Sequence, residues 1–305
     1  ATQGWVPTID EAVTDVPVKG NQEGIFGYGY TTGYVSMTNL VSNAGVVSSD
    51  VTGVGTGRGY PGACEYGGDK GIIFGGYSGS SYVGMTNLVS NAGVVATDVT
   101  AVGTGRGYSS ACEYGGDKGI IFGGYDGSSY VGMTNLVSNA GVVATDVTAV
   151  GTARSGSGAC EYGDDKGIIA YGYDGSSESS VSNLVSNVGV VATDVTGVGT
   201  ARSSLGACGY GYDKGIFGYG TGLSNLSNLV SNAGVVATDT TGVGSARSQL
   251  AACEYGYDKG IFGYGRGAGG SHTAVTNLVS NAGVVATDTT GVGSARGQIT
   301  ACSFN

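Results

Sequence analysis

ACEYGGDKGIIFGGYSGSSYVGMTNLVSNAGVVATDVTAVGTGR, residues 63–106, is one of six related stretches in a chain of 305 residues. Its central phrase, NLVSNAGVVATD at 87–98, returns unchanged at 135–146, 228–239 and 277–288, and near-copies begin at Asn39 and Asn183. The arginine that closes each copy sets the period: Arg58, Arg106, Arg154, Arg202, Arg247 and Arg296 stand 45 to 49 residues apart. Cys64, Cys112, Cys160, Cys208, Cys253 and Cys302 advance in the same steps. Periods of 20–50 residues mark solenoids, propellers or arrays. The chain is therefore one unit written six times.

Within the quoted copy, ACEY is short and apolar-rich, and GGDKG supplies residues that tolerate positive φ in a turn. GIIFGGY is β-branched and aromatic, which suits a pleated surface. SGSS reads as a loop, MTNLVS (85–90) as a third strand, Asn91–Gly93 as a turn and VVATDVT (94–100) as a fourth strand. No helical apolar period survives the recurring glycines. Although 62 residues are glycine, 40% are apolar and fall at fixed positions, which separates this chain from a disordered one.

The two ends decide the architecture. The repeats begin at GIFGYG (24–29), a second strand, and finish at TACSFN (300–305), a first strand whose Phe304 falls where Tyr66 sits. Pairing 301–304 beside 24–30 closes a ring and removes the open edges of an unclosed array. The expected fold is all-β: a six-bladed β-propeller of four-stranded blades, closed by the C-terminal strand in the N-terminal blade. Residues 1–22 form a non-repeating arm and 23–305 the propeller.

The order of arginine, AC-Y, turn, GIIFGGYDGSS, later strand and next arginine resembles the kelch repeat of β-propellers. Gly75-Gly76 and Gly123-Gly124 stand at its double glycine, with Tyr77 and Tyr125 following. The resemblance covers 23–305. Other units read FGYG or AYGY, and the kelch tryptophan has no counterpart, since Trp5 lies outside every unit. The phrasing NLVSNAGVVATDTTGVGSAR…DKGIFGYG is similar to kelch-like repeats in virion-associated proteins of aquatic bacteriophages. That resemblance implies a virion component (decoration, fibre or tail protein) made in the host cytoplasm. Its partners would be other virion proteins, copies of itself or a host-surface glycan. The alternative expectation is an extracellular, lectin-like propeller whose near-identical blades offer several equal sugar sites.

Composition narrows the function. A net charge of −10 argues against general phosphate-backbone binding, and no nucleic-acid partner is expected. No run approaches the ~18 apolar residues of a membrane span, so no membrane partner is expected. The opening ATQGW has neither a basic nor an apolar signal region, which favours synthesis in a cytoplasm. Equivalent cysteines on a ring rarely meet disulfide geometry, so all six are expected buried and reduced. CxxC pairs and partner histidines are lacking, and no metal or cofactor is expected. With His272 the sole histidine and no G-x-S-x-G or H-E-x-x-H motif, the chain reads as a non-enzyme.

Candidate sites follow from symmetry and its breaks. The six arginines predict either an anion-binding ring at one mouth of the channel or structural staples to Asp50, Asp98, Asp146, Asp194, Asp239 and Asp288. Phe26, Phe74, Phe122, Phe217 and Phe262 are aligned as core, with Ala170 as the exception. The lysines of the DK turns read as solvated. The loops after the second strand vary most between units, and they carry the expected binding residues Tyr34, Tyr82, Tyr130, Arg266 and His272. In the arm, Pro7 and Pro17 disfavour strand pairing, and Trp5 with Val6 is expected to dock the protein onto a larger assembly.

Overall fold

In the computed structural model, which describes residues 22–100, 102–148 and 150–305, each copy of the repeat folds as an antiparallel meander. The first strands are β1 (Glu23–Gly27) and β2 (Thr38–Val41). The quoted copy supplies β3 (Gly62–Tyr66), β4 (Lys70–Tyr77) and β5 (Tyr82–Val89). The next gives β6 (Ser110–Tyr114), β7 (Lys118–Tyr125) and β8 (Tyr130–Val137). Then come β9 (Gly158–Tyr162), β10 (Lys166–Tyr173) and β11 (Glu178–Val185). They are followed by β12 (Gly206–Tyr210), β13 (Lys214–Gly220) and β14 (Ser224–Val230). The last are β15 (Ala251–Tyr255), β16 (Lys259–Gly263), β17 (Thr276–Val279) and β18 (Thr300–Phe304).

Six three-stranded sheets result. We number them by copy, the first being β18-β1-β2, where Ile25 pairs with Cys302 and Phe26 with Ala301. The central strand of each sheet is covered on both faces, which is why Ile72, Ile73 and Phe74 run apolar without alternation. The cores lie between neighbouring sheets: Cys64, Tyr66, Ile72 and Phe74 of the second sheet pack on Ile121 and Val137 of the third.

Close approach at these interfaces explains the first glycine of each central strand. A Cβ on Gly119 would stand 2.6 Å from the Cys64 Sγ and 3.2 Å from the Glu65 carbonyl oxygen. The inner strands neighbour one another in the order β3, β6, β9, β12, β15, β18 and back to β3. A backbone circuit runs beside them. The amides of Tyr108, Gly156, Ser204, Gln249 and Gln298 each donate to the carbonyl of the preceding member, and Tyr60 donates to Gln298, at 2.7–3.0 Å. Such an arrangement is propeller-like. Among the described residues no helix is long and apolar enough to cross a membrane.

Three expectations change. The stretch 94–100 is not a continuous fourth strand; it is attached by the bridges Val89–Val95 and Thr86–Val99 and by the Ala96 amide, which donates to the Leu88 carbonyl at 2.8 Å. Between them the Asn87 side-chain amide intrudes, donating to the Ala96 carbonyl at 3.0 Å and to Asp98 Oδ1 at 2.9 Å. The third strand begins at Tyr82 rather than Met85, so Tyr82 and Val83 belong to strand and not to loop.

The five phenylalanines also fall into two columns. Phe26, Phe217 and Phe262 pair with Asn39, Asn228 and Asn277, whereas Phe74 and Phe122 sit one residue later, opposite Thr86 and Thr134. Where Phe74 or Phe122 is absent, a tyrosine at the next position fills the space: Tyr28, Tyr171, Tyr219 or Tyr264, at φ 61–66°. Trp5 and Val6 lie outside the described residues.

Candidate functional site

The six arginines are fully buried between sheets. Arg58 Nε donates to the Gly75 carbonyl at 2.5 Å, Nη1 to the Thr56 carbonyl at 3.1 Å and Nη2 to Asn87 Oδ1 at 2.7 Å. Its guanidinium carbon lies 4.2 Å above the Tyr28 ring of the preceding sheet. Asp98 Oδ1 stands 3.9 Å from Nη1, and Asp98 Oδ2 accepts from the Thr56 amide and hydroxyl at 3.0 and 2.7 Å. Stacking on one sheet while hydrogen bonding to the next, each guanidinium presents no face to a dissolved anion. Burial alone would raise the Asp98 carboxyl, but hydrogen bonds from Asn87 and Thr56 and the charge of Arg58 outweigh it and hold it low.

Symmetry breaks on one face. There the rings of His272, Tyr30, Tyr34, Tyr77, Tyr82, Tyr125, Tyr130 and Tyr173 form a continuous ladder with centroids 5.0–5.9 Å apart. Inclined and edge-to-face contacts of this spacing suit the aromatic quadrupole. Within a sheet, cross-strand pairs make the rungs: Tyr77 opposite Tyr82 and Tyr125 opposite Tyr130. Between sheets, a loop glycine admits the ring of its neighbour. A Cβ on Gly175 (φ 100°) would fall 2.7 Å from the Tyr130 ring.

The ladder ends differently on each side. In the fourth sheet Tyr173 pairs with Glu178 instead of a tyrosine. At the other end Arg266 bridges to His272, and the exposed Arg266 donates from Nε to the Gly270 carbonyl at 3.2 Å. Tyr34, Tyr82, Tyr130 and His272 thus stand in one array with Arg266 at its margin. Tyr30, Tyr77, Tyr125, Tyr173 and Glu178 complete it, none of them expected from sequence as a binding residue. For all but Tyr30 the signal was strand periodicity, because the last residues of β4, β7 and β10 face the first of β5, β8 and β11.

The backbone circuit borders the ladder. Tyr60, Tyr108, Gly156, Ser204, Gln249 and Gln298 share a left-handed backbone (φ 53–62°) but not a side chain. Tyr60 and Tyr108 stack at 3.6 Å, and Gln249 Nε2 donates to the Tyr60 hydroxyl at 3.1 Å. Between this circuit and the ladder lies a cavity of about 500 Å³ bounded by Tyr82, Tyr108, Tyr125, Tyr130, Tyr173, Ser155, Gly156, Glu178, Ser203 and Ser204. Glu178 Oε1 accepts from the Ser203 hydroxyl at 3.2 Å, whereas Glu178 Oε2 is buried without a hydrogen-bond partner. Among the first strands of the copies a cavity of about 50 Å³ is lined by the six cysteines and by Glu65, Glu113, Glu161 and Glu254.

Burial, followed by the neighbouring phenols, pushes the Tyr82 hydroxyl up to about 12 and also raises those of Tyr34 and Tyr130. Burial and then Arg266 lower the His272 imidazole. At neutral pH Tyr34, Tyr82 and Tyr130 are therefore uncharged rings carrying hydroxyl donors. Among the described residues no group of three or more His, Cys, Asp or Glu is arranged to hold a metal ion. The chain matches no protein-family model and no curated protein.

Proposed function

We propose that the protein is a non-enzymatic binding propeller whose tyrosine face makes its contacts. In this reading the six sheets are blades of a closed, kelch-like, six-bladed ring, with the interrupted segment 94–100 and its counterparts along the outer edge in place of a regular fourth strand. The backbone circuit from Tyr60 through Gln298 supports closure, because it returns to its starting residue. The observation that carries the function is the ladder itself. Six repeated copies supply an almost uniform scaffold, and the rings on this face are where the copies combine into something larger than any one of them. Neutral, half-buried tyrosines suit adaptable contact with protein or glycan surfaces.

The setting we propose is a virion, on the sequence resemblance alone, with other virion proteins, copies of this chain or a host-surface glycan as partners. Peptide mass mapping of purified particles tests the setting; peptides confined to the particle-free fraction refute it. Tyr34→Ser with Tyr77→Ser tests the face. The double variant should keep its fold and lose attachment to host cells, and unchanged attachment removes the face from the mechanism. The ladder also favours a second reading, an extracellular glycan-binding propeller, for which secretion without particles is the discriminating observation.

A further inference from the structure

We infer that the cavity over the third and fourth sheets is a single binding site for a neutral oligosaccharide, a deepening that rests on the tyrosine face being the contact surface. The walls present phenol rings at different tilts: Tyr125 and Tyr130 meet at 47° and Tyr130 and Tyr173 at 76°. Such rings offer flat faces to the C–H side of a pyranose and hydroxyls to its rim. The volume, about 500 Å³, falls within the range of about 300–1,000 Å³ usual for small-molecule sites.

Glu178 sets the polarity. Its Oε1 is oriented by Ser203, and its Oε2 is buried with no donor. A desolvated oxygen in that position carries a cost that a donated hydroxyl relieves. Sugar hydroxyls are such donors. Among the described residues no Lys, Arg or His lines the cavity, and the carboxylate repels phosphate, sulfate and acidic sugars. An uncharged polyol with apolar faces is the ligand class that satisfies rings, serines and carboxylate together.

One site per chain follows from the sequence. The position of Glu178 holds Tyr82 and Tyr130 in the two preceding sheets, and His272 pairs with Arg266 in the sixth. Repeated scaffold here carries an unrepeated pocket, unlike a lectin with equal sites on every blade.

The test is calorimetry on the full chain with cellohexaose, maltohexaose and N-acetylchitohexaose, and a heparin hexasaccharide as the anionic comparator. At least one neutral hexasaccharide should bind with a stoichiometry of one, and heparin should not. Glu178→Gln and Tyr130→Ala, each with an unchanged thermal midpoint, should each weaken binding about ten-fold or more. Saturation-transfer signals should localise to tyrosine ring protons. Absence of binding by all three neutral probes at millimolar concentration overturns the proposal, as does equal affinity in both variants or a stoichiometry of several sites. Failure here is separable from failure of the broader face, because Tyr34 and Tyr77 are not among the residues that line the cavity and cell attachment is read without any of the oligosaccharide probes.

Discussion

Arg296 and Asn39 are 257 residues apart in the chain, yet the guanidinium Nη2 donates to the asparagine Oδ1 at 2.6 Å. Arg296 Nε reaches the Tyr28 carbonyl at 2.9 Å, and its guanidinium lies 4.3 Å over Tyr264. The last arginine thus does for the first sheet what Arg154 does within the chain, where it reaches Asn183 and stacks on Phe122. Removing one member of a buried charged network costs about 3–5 kcal/mol, much of it from the partners left unsatisfied. Arg296→Met and Arg154→Met should therefore lower unfolding free energy by similar amounts in denaturant titrations. A much smaller loss at Arg296 would mean that the interface between the chain ends contributes little.

Acid should weaken all six interfaces together. The carboxyls of Asp50, Asp98, Asp146, Asp194, Asp239 and Asp288 are each raised by burial but lowered further by hydrogen bonds and the nearby arginine, for a net depression. A carboxyl depressed in the folded state contributes stability that is present above its unfolded value, near 3.8, and is lost as pH falls through the folded value. Stability against urea should hold from neutral pH to about pH 4 and fall steeply below it. Asp98→Asn should lower stability at pH 7 and flatten the acid limb; an unchanged slope would remove these carboxylates from the account.

The glycine–cysteine contact makes a local prediction. Gly119→Ala places a methyl group against the Cys64 sulfur and the Glu65 carbonyl, and overpacking of this kind costs about 1–3 kcal/mol. Cys64→Ala in the same chain relieves the sulfur contact but not the carbonyl. The double variant should recover part of the loss, a coupling that a double-mutant cycle measures. Additive effects would show that the two residues do not share one space.

Much of this was legible. The period, the strand order and the pairing of β18 with β1 follow from where Cys64 and Cys302 stand in their copies. Burial of the cysteines was readable too, since a ring of equivalent thiols suits core better than disulfides. The aromatic exchange was not. Phe74 and Tyr28 are offset by one residue, and only the sheet register shows that both lie beneath an arginine. Nor does sequence show that Tyr60 and Tyr108 take φ of 57° and 58°, a conformation that glycine adopts more readily. The ladder likewise depends on ring contacts between sheets, which no local pattern encodes.

Burial governs the chemistry of the thiols. All six cysteines are free and buried, and desolvation pushes each thiol well up from its ordinary value. Because the thiolate is the reactive form, a chromogenic disulfide reagent should titrate almost none in native protein and all six in denaturant. Rapid reaction of native protein would contradict the close contact between sheets.

Deletion of 300–305 tests what β18 holds in place. Ile25 pairs with Cys302 and Phe26 with Ala301, and Phe304 is wholly buried in the cluster with Ile25, Tyr28 and Ile73. Removing the segment uncovers one edge of β1 and strips this cluster of two buried members, Cys302 and Phe304. It also takes away the Asn305 amide that donates to the Asp69 carbonyl at 3.0 Å. An open strand edge beside exposed apolar surface is a template for association between chains. The truncated protein should therefore form large species in size-exclusion chromatography and lose its cooperative thermal transition, while the full chain keeps both a discrete size and a sharp transition. A truncation that remains of discrete size with an unchanged midpoint would show that β18 is dispensable, and the proposal of a closed ring would fall with it.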